Sequence, residues 1–157
     1  MSDEAKGEAK GFSLSDFDLA GDAERGATVA LTNPRTGVLL VADDGAPVTV
    51  TVKGADGRTY RRAQVMAQKE IAEVSDTSRI TYLDPDARDA LIDQQTSKVL
   101  AAVTMSWHGI ALAGEVWECT PEAAEALYQR FDWIKRQVDA AVSNRMVFFT
   151  EGLPSAA

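Results

Sequence analysis

The stretch TPEAAEALYQRFDWIKRQVDAAV, residues 120–142, decides how this chain is read. Thr120 stands at the N-cap of a helix whose first position is Pro121, where a missing N–H costs nothing. Glu122 and Glu125 suit the positive end of the helix dipole. Ala124, Leu127, Tyr128, Phe131, Ile134, Val138, Ala141 and Val142 recur at three- and four-residue steps, so one apolar stripe continues throughout. Phe131-Asp132-Trp133 reads as a break within it. The stripe carries no catalytic group. Such a surface packs against something rather than reacting with it.

Upstream, the same signal recurs at Asp84-Pro85, with Asp84 as N-cap and Pro85 at the first helical position. That helix shows Leu91, Ile92, Val99, Ala102 and Val103 on its apolar face and is expected to end by Gly109. Residues 110–119, with Gly114 among them, read as a short extended stretch. An earlier helix runs from Arg58 to about Val74, with Tyr60, Ala63, Ala67, Ile71 and Val74 at helical spacing, and residues 75–83 read as a polar loop. Residues 27–53 read as strands. Thr28-Val29-Ala30-Leu31-Thr32 meets the turn Asn33-Pro34-Arg35-Thr36-Gly37, and Val38-Leu39-Leu40-Val41 meets the turn Asp43-Asp44-Gly45-Ala46-Pro47. Val48-Thr49-Val50-Thr51-Val52-Lys53 then alternates valine with polar residues until Gly54-Ala55-Asp56-Gly57. The expected fold class is therefore α+β: a small N-terminal antiparallel β-meander packed against a predominantly helical C-terminal part. Residues 1–15 and 151–157 are expected to be flexible, flanking a single domain over 16–150. The apolar patch Phe12, Leu14, Phe17, Leu19 is expected to dock the end of the tail onto the body.

Composition narrows the function. A chain of 157 residues suits one domain with a real core. Its net charge of -8 and pI near 4.6 disfavour nucleic acid and anionic membranes alike, since both need a basic face. The cluster Arg58, Arg61, Arg62 has two readings: a site for an acidic partner, or a solvated helix start whose arginines pair with nearby carboxylates. A single cysteine, Cys119, removes any dependence on an intramolecular disulfide. The polar, acidic start of the chain lacks a secretory pattern, and no segment has the length of a membrane span, so a cytosolic location is expected.

Motifs for chemistry are sparse. His108 is the sole histidine, and Cys119 lies near enough in sequence to meet it, but no cysteine-hydrolase signature surrounds them. Cys119 also reads as a small buried hydrophobe. Asp84, Asp86, Asp89 and Asp93 are the densest carboxylates, yet a calcium loop counted from Asp84 would need glycine and glutamate where Asp89 and Gln95 stand. No phosphate-cradling glycine pattern and no nucleophile elbow occurs. No enzyme activity, cofactor or metal is expected. Aromatic residues crowd the C-terminal third, and Trp and Tyr dominate interface energetics. Core packing takes most of them. Trp107, Tyr128, Phe131, Trp133, Phe148 and Phe149 are the candidates for partner binding, with one or two expected to be exposed.

The order of these elements resembles a known family. The turn Pro34-Arg35-Thr36-Gly37 precedes Val48-Thr49-Val50-Thr51-Val52-Lys53-Gly54-Ala55-Asp56 and Tyr60-Arg61. Ala102, Trp107 and Gly109 follow, then Thr120-Pro121-Glu122-Ala123, Leu127-Tyr128, Trp133-Ile134, Gln137-Val138 and Phe148-Phe149. Over roughly residues 17–150 this resembles the tail assembly chaperones of long-tailed bacteriophages and prophages. It departs from that pattern at Gly57, where serine commonly stands, and at Asp132, where proline often precedes the Trp-Ile pair. The resemblance implies a non-enzymatic protein of the host cytoplasm. It implies that many copies, as a homo-oligomer, bind the tape-measure protein, keep it soluble and promote tail-tube assembly, with the tail-tube protein as a further partner. A structural protein of the virion tail (tube, terminator or minor subunit) is the alternative, although such proteins usually need longer strands.

Overall fold

The computed structural model describes residue 11, residues 13–78 and residues 85–149. A three-stranded antiparallel sheet of order β1-β2-β3 is formed by β1 (Ala27–Ala30), β2 (Thr49–Val52) and β3 (Thr104–His108). The alternation read in the sequence sets its two faces. Val50 and Val52 are fully buried, and Val29, Val50 and Trp107 align as one inward row across the strands. Thr28, Thr51 and Ser106 align on the other face, where the Thr28 and Thr51 hydroxyls bond at 3.0 Å.

The mixed α+β class holds, but the expected meander is corrected. The third strand is not residues 38–41; it is β3, read as the end of a helix. The helix over Pro85–Val103 stops where Thr104 begins, and the Thr104 hydroxyl donates back to the Leu100 carbonyl at 2.8 Å, competing with helix continuation. Strand pairing then satisfies the backbone: Lys53 N–H donates to the Val103 carbonyl at 2.9 Å and β3 continues the ladder along β2. Residues 38–41 make only isolated bridges, Thr32 to Leu39 and Val41 to Pro47. Two tight turns leave them four residues, and Pro47 has no N–H to extend a ladder.

Five helices accompany the sheet among the described residues: α1 (Leu19–Arg25), α2 (Arg58–Ser78), α3 (Pro85–Val103), α4 (Pro121–Arg130) and α5 (Asp132–Val142). The first was not foreseen; Asp18 caps it by accepting from Gly21 N–H at 3.0 Å. Residues 75–78, expected in a loop, extend α2. The expected cap Asp84 lies outside the described residues. At Thr120 the side chain accepts from Ala123 N–H at 3.0 Å, and the chain breaks at Phe131 between α4 and α5, both as expected. A short hairpin, β4 (Ala111–Leu112) and β5 (Glu115–Val116), fills the stretch read as extended. Of the tail patch, Phe12 lies outside the described residues, Leu14 and Phe17 are exposed, and Leu19 is half-buried. The two terminal stretches expected to be flexible fall largely outside the described residues.

The core lies between the sheet's inner face and α3, α4 and α5. Leu100 and Val103 of α3 meet Val50 and Val52, with Leu127 and Tyr128 of α4 and Val138 and Val142 of α5. Tyr128 is fully buried, and its hydroxyl bonds the Thr104 hydroxyl at 2.7 Å. Burial pushes its phenol up to about 12, against the opposing pull of the Thr104 bond. Lys135, also buried, ties α5 to α3 through Asp93 and pairs with Asp132 at 3.2 Å. No described helix is long and apolar enough to cross a membrane.

One polar contact fastens α1 to the start of α2. The Glu24 carboxylate accepts from Thr59 N–H at 2.8 Å and from the Thr59 hydroxyl at 3.0 Å, and pairs with Lys53 at 3.3 Å. The Thr59 backbone bond, more than the hydroxyl and Lys53, holds this carboxyl below its usual range, with burial opposing. Glu24→Ala should cost about 1 kcal/mol, as other lost helix caps do. Because the folded pKa is lowered, that contribution is complete above the unfolded glutamate pKa and disappears as pH falls through the folded value. Melting curves of the wild type and variant should therefore differ at pH 7 and draw together as the pH is lowered below the usual glutamate range. A gap that does not narrow as the pH falls would mean the carboxylate's charge is irrelevant.

Candidate functional site

The excursion between β1 and β2 builds one wall of a groove. Leu31 N–H donates to Val48 and Leu40 N–H donates to Leu31, so residues 31–48 fold back on themselves as nested turns. The first turn is closed by Asn33, whose side chain accepts from Arg35 N–H at 2.8 Å. In the second, Asp44 accepts from Ala46 N–H at 2.9 Å. Gln137 of α5 clamps the base: its amide accepts from Thr32 N–H at 2.9 Å and donates to the Thr32 carbonyl at 2.8 Å. The side chain thus stands in for a missing strand partner. Leu40 points inward, while Val38, Leu39 and Val41 remain exposed, Val41 by 62%.

The opposite wall comes from β3 to β5. Trp107 and Trp117 meet edge to face with ring centroids 6.4 Å apart, and Trp107 donates to the Trp117 carbonyl. Trp117 N–H donates to the Ile110 carbonyl at 2.9 Å, closing the base of the β4–β5 hairpin, and the Trp107 bond ties that base to β3. Val116 at the hairpin is 82% exposed. Ala113 and Gly114 both have positive φ, 54° and 83°, as the twist of a two-residue hairpin demands. For an alanine that conformation is strained. Ala113→Asn should raise stability by about 1 kcal/mol, read from the urea midpoint, since Asn tolerates the left-handed region. No gain would mean that the hairpin already relaxes elsewhere.

Between the walls lies an opening of about 720 Å³. It continues into an apolar recess of about 250 Å³ floored by Leu127, Phe131, Trp133 and Ile134, and both share Val41, Val48, Ile110 and Trp117. His108 Nε2 bonds Asp44 Oδ2 at 2.8 Å and bridges the two walls. The Ala46 N–H, helped by His108, holds the Asp44 carboxyl below its usual range against the opposing effect of desolvation. Cys119 lines the same opening, half-buried, and burial raises its thiol pKa. A nucleophilic cysteine needs the opposite shift. No group of three His, Cys, Asp or Glu able to hold a metal occurs among the described residues.

The six aromatic candidates separate. Trp107 lines the outer opening, and Phe131 and Trp133 line the recess, all half-buried. Tyr128 and Phe148 are buried in the core of the subunit. Phe149, half-buried, lines a different cleft of about 420 Å³ beside α1. None of the six is fully exposed. Sequence reasoning missed the aliphatic rim of Val41 and Val116, and the exposure of Val38 and Leu39 beside it in sequence. A signal was present: Val38-Leu39-Leu40-Val41 is wholly apolar, yet held between turns too close for a buried strand. Compared with known protein families, curated proteins and solved structures, the chain matches none.

Proposed function

We propose that this chain is a non-enzymatic tail assembly chaperone that acts in the host cytoplasm. It binds the tape-measure protein, keeps it soluble and promotes tail-tube assembly, with the tail-tube protein as a further partner. The observation that carries this reading is the groove: exposed Val41 and Val116 line an opening that leads to a recess walled by Trp117 and Trp133. An apolar opening with an uncovered rim is suited to packing against another chain. The apolar face of a client helix offers the matching shape, its large side chains entering the recess beside Phe131 and Trp133. A net charge of -8 limits aggregation once many copies coat a long apolar client. The family resemblance in the order of sequence elements supplies the identity of that client.

Co-expression tests the reading. A long helical tape-measure protein encoded beside this chain should be insoluble alone and soluble with it. Mass spectrometry of purified particles should find the chain absent. Abundant peptides from it in finished particles would replace the chaperone reading with a structural tail subunit.

A further inference from the structure

We propose that the solvent-facing ridge of α2 is a second docking surface, and that its occupant is an acidic amphipathic helix of a partner protein. Positions 58, 61, 62, 65, 66 and 69 follow one another at helical steps on the side of α2 opposite buried Ala67. They hold Arg58, Arg61, Arg62, Val65, Met66 and Lys69, all exposed. The ridge is therefore basic at both ends, with Val65 and Met66 uncovered at 59% and 58% between them. Over its twelve residues it spans about 16 Å, three turns of a partner helix.

The charge pattern is what points to a partner. Among the described residues, carboxylates engage Arg25, Lys53, Lys98, Lys135, Arg136 and Arg145 in ion pairs. Among the described residues none engages the four cations of the ridge, nor Arg35, Arg88 or Arg130, but only on the ridge do four such cations gather on one helix face beside exposed apolar side chains. Of the two readings of Arg58, Arg61 and Arg62, pairing with carboxylates finds no partner among the described residues, and the proposal takes up the other, a site for an acidic partner. Nucleic acid is a poor match, because the net charge of -8 repels a polyanion and phosphates have no use for Val65 and Met66. A helix with Asp or Glu one turn to either side of a Leu pair meets both features. No ridge residue lines the groove, so this surface stands independently of the proposed function.

The test uses a fluorescent 18-residue helical peptide carrying a Leu pair flanked by Glu at i and i+4. Three controls accompany it: the same peptide with Gln or with Lys for Glu, and a single-stranded oligonucleotide. The acidic peptide should bind the full chain saturably and weaken several-fold between 50 and 300 mM salt. Arg61→Glu with Arg62→Glu should reduce binding about tenfold while leaving the melting curve unchanged, and should favour the Lys peptide instead. Val65→Ser with Met66→Ser should weaken it with the salt dependence retained. No saturable binding, equal binding of the Gln peptide, or tighter binding of the oligonucleotide would overturn the proposal. So would self-association in sedimentation that the double Glu variant abolishes, since the occupant would then be a second copy.

Discussion

A Val41→Asp, Val116→Asp double variant is expected to keep the wild-type melting temperature and to bind the client about a hundredfold more weakly. Both side chains lie on the rim of the groove, 62% and 82% exposed, so replacing them changes little in the free subunit. Exposed substitutions of this kind usually fall within about 0.5 kcal/mol of neutral. In a complex the same positions would be covered by an apolar client. Each aspartate would then be desolvated with no cation opposite, and a hundredfold corresponds to about 2.7 kcal/mol shared between two such charges. The measurement is co-expression solubility of the client, with titration of a soluble client fragment and a thermal melt of the variant alone. Unchanged client binding in a folded variant would remove the groove as the binding surface. Tyr128→Ala makes the contrasting control: its side chain is wholly internal, so loss of client binding should follow loss of fold, at about 3–5 kcal/mol.

These expectations depend on features that were unequally legible in the sequence. The α4–α5 unit was readable because its determinants are local. Thr120 caps within three residues, Pro121 is compatible only with a helix start, and the stripe keeps its period across the break at Phe131. The third strand was not readable, because its pairing is long-range. Thr104 to His108 borders on β2, some fifty residues earlier, and the valines of α3 run into it without any glycine or proline to mark the change. Only the pairing with Val50 and Thr51 makes that segment extended.

The groove was half legible for a similar reason. Aromatic content placed Trp107, Phe131 and Trp133 among the candidates, and all three line it. The same content also nominated Tyr128 and Phe148, because a helical stripe does not say which of its members lies deepest. The aliphatic rim escaped because an apolar run reads as buried by default. Its exposure follows from the clamp of Gln137 on Thr32, a contact across 105 positions that fixes the excursion at its base and leaves its outer edge uncovered.

The excursion also rests on Gly109, and substitution there should be among the most damaging in the chain. Gly109 follows β3 with φ of +83°, and a Cβ placed on it would stand 2.9 Å from the Ala42 Cβ and 3.3 Å from a Val48 methyl. Gly109→Ala therefore incurs two penalties. The left-handed backbone costs an alanine about 1–2 kcal/mol, and the overlap with Ala42 adds about 1–2 kcal/mol more unless the wall moves. Gly37 separates them. Its φ is +77°, nearly the same, but nothing lies within 4 Å of the position its Cβ would take. Gly37→Ala should cost only the backbone strain, so the difference between the two variants in urea unfolding reports the contact. Combining Gly109→Ala with Ala42→Gly should recover that difference and no more, because the strain remains. If the two glycine variants unfold at the same denaturant concentration, the close approach of the strand end to the excursion contributes nothing. The wall of the groove would then be held by the Gln137 clamp and the His108–Asp44 bridge alone.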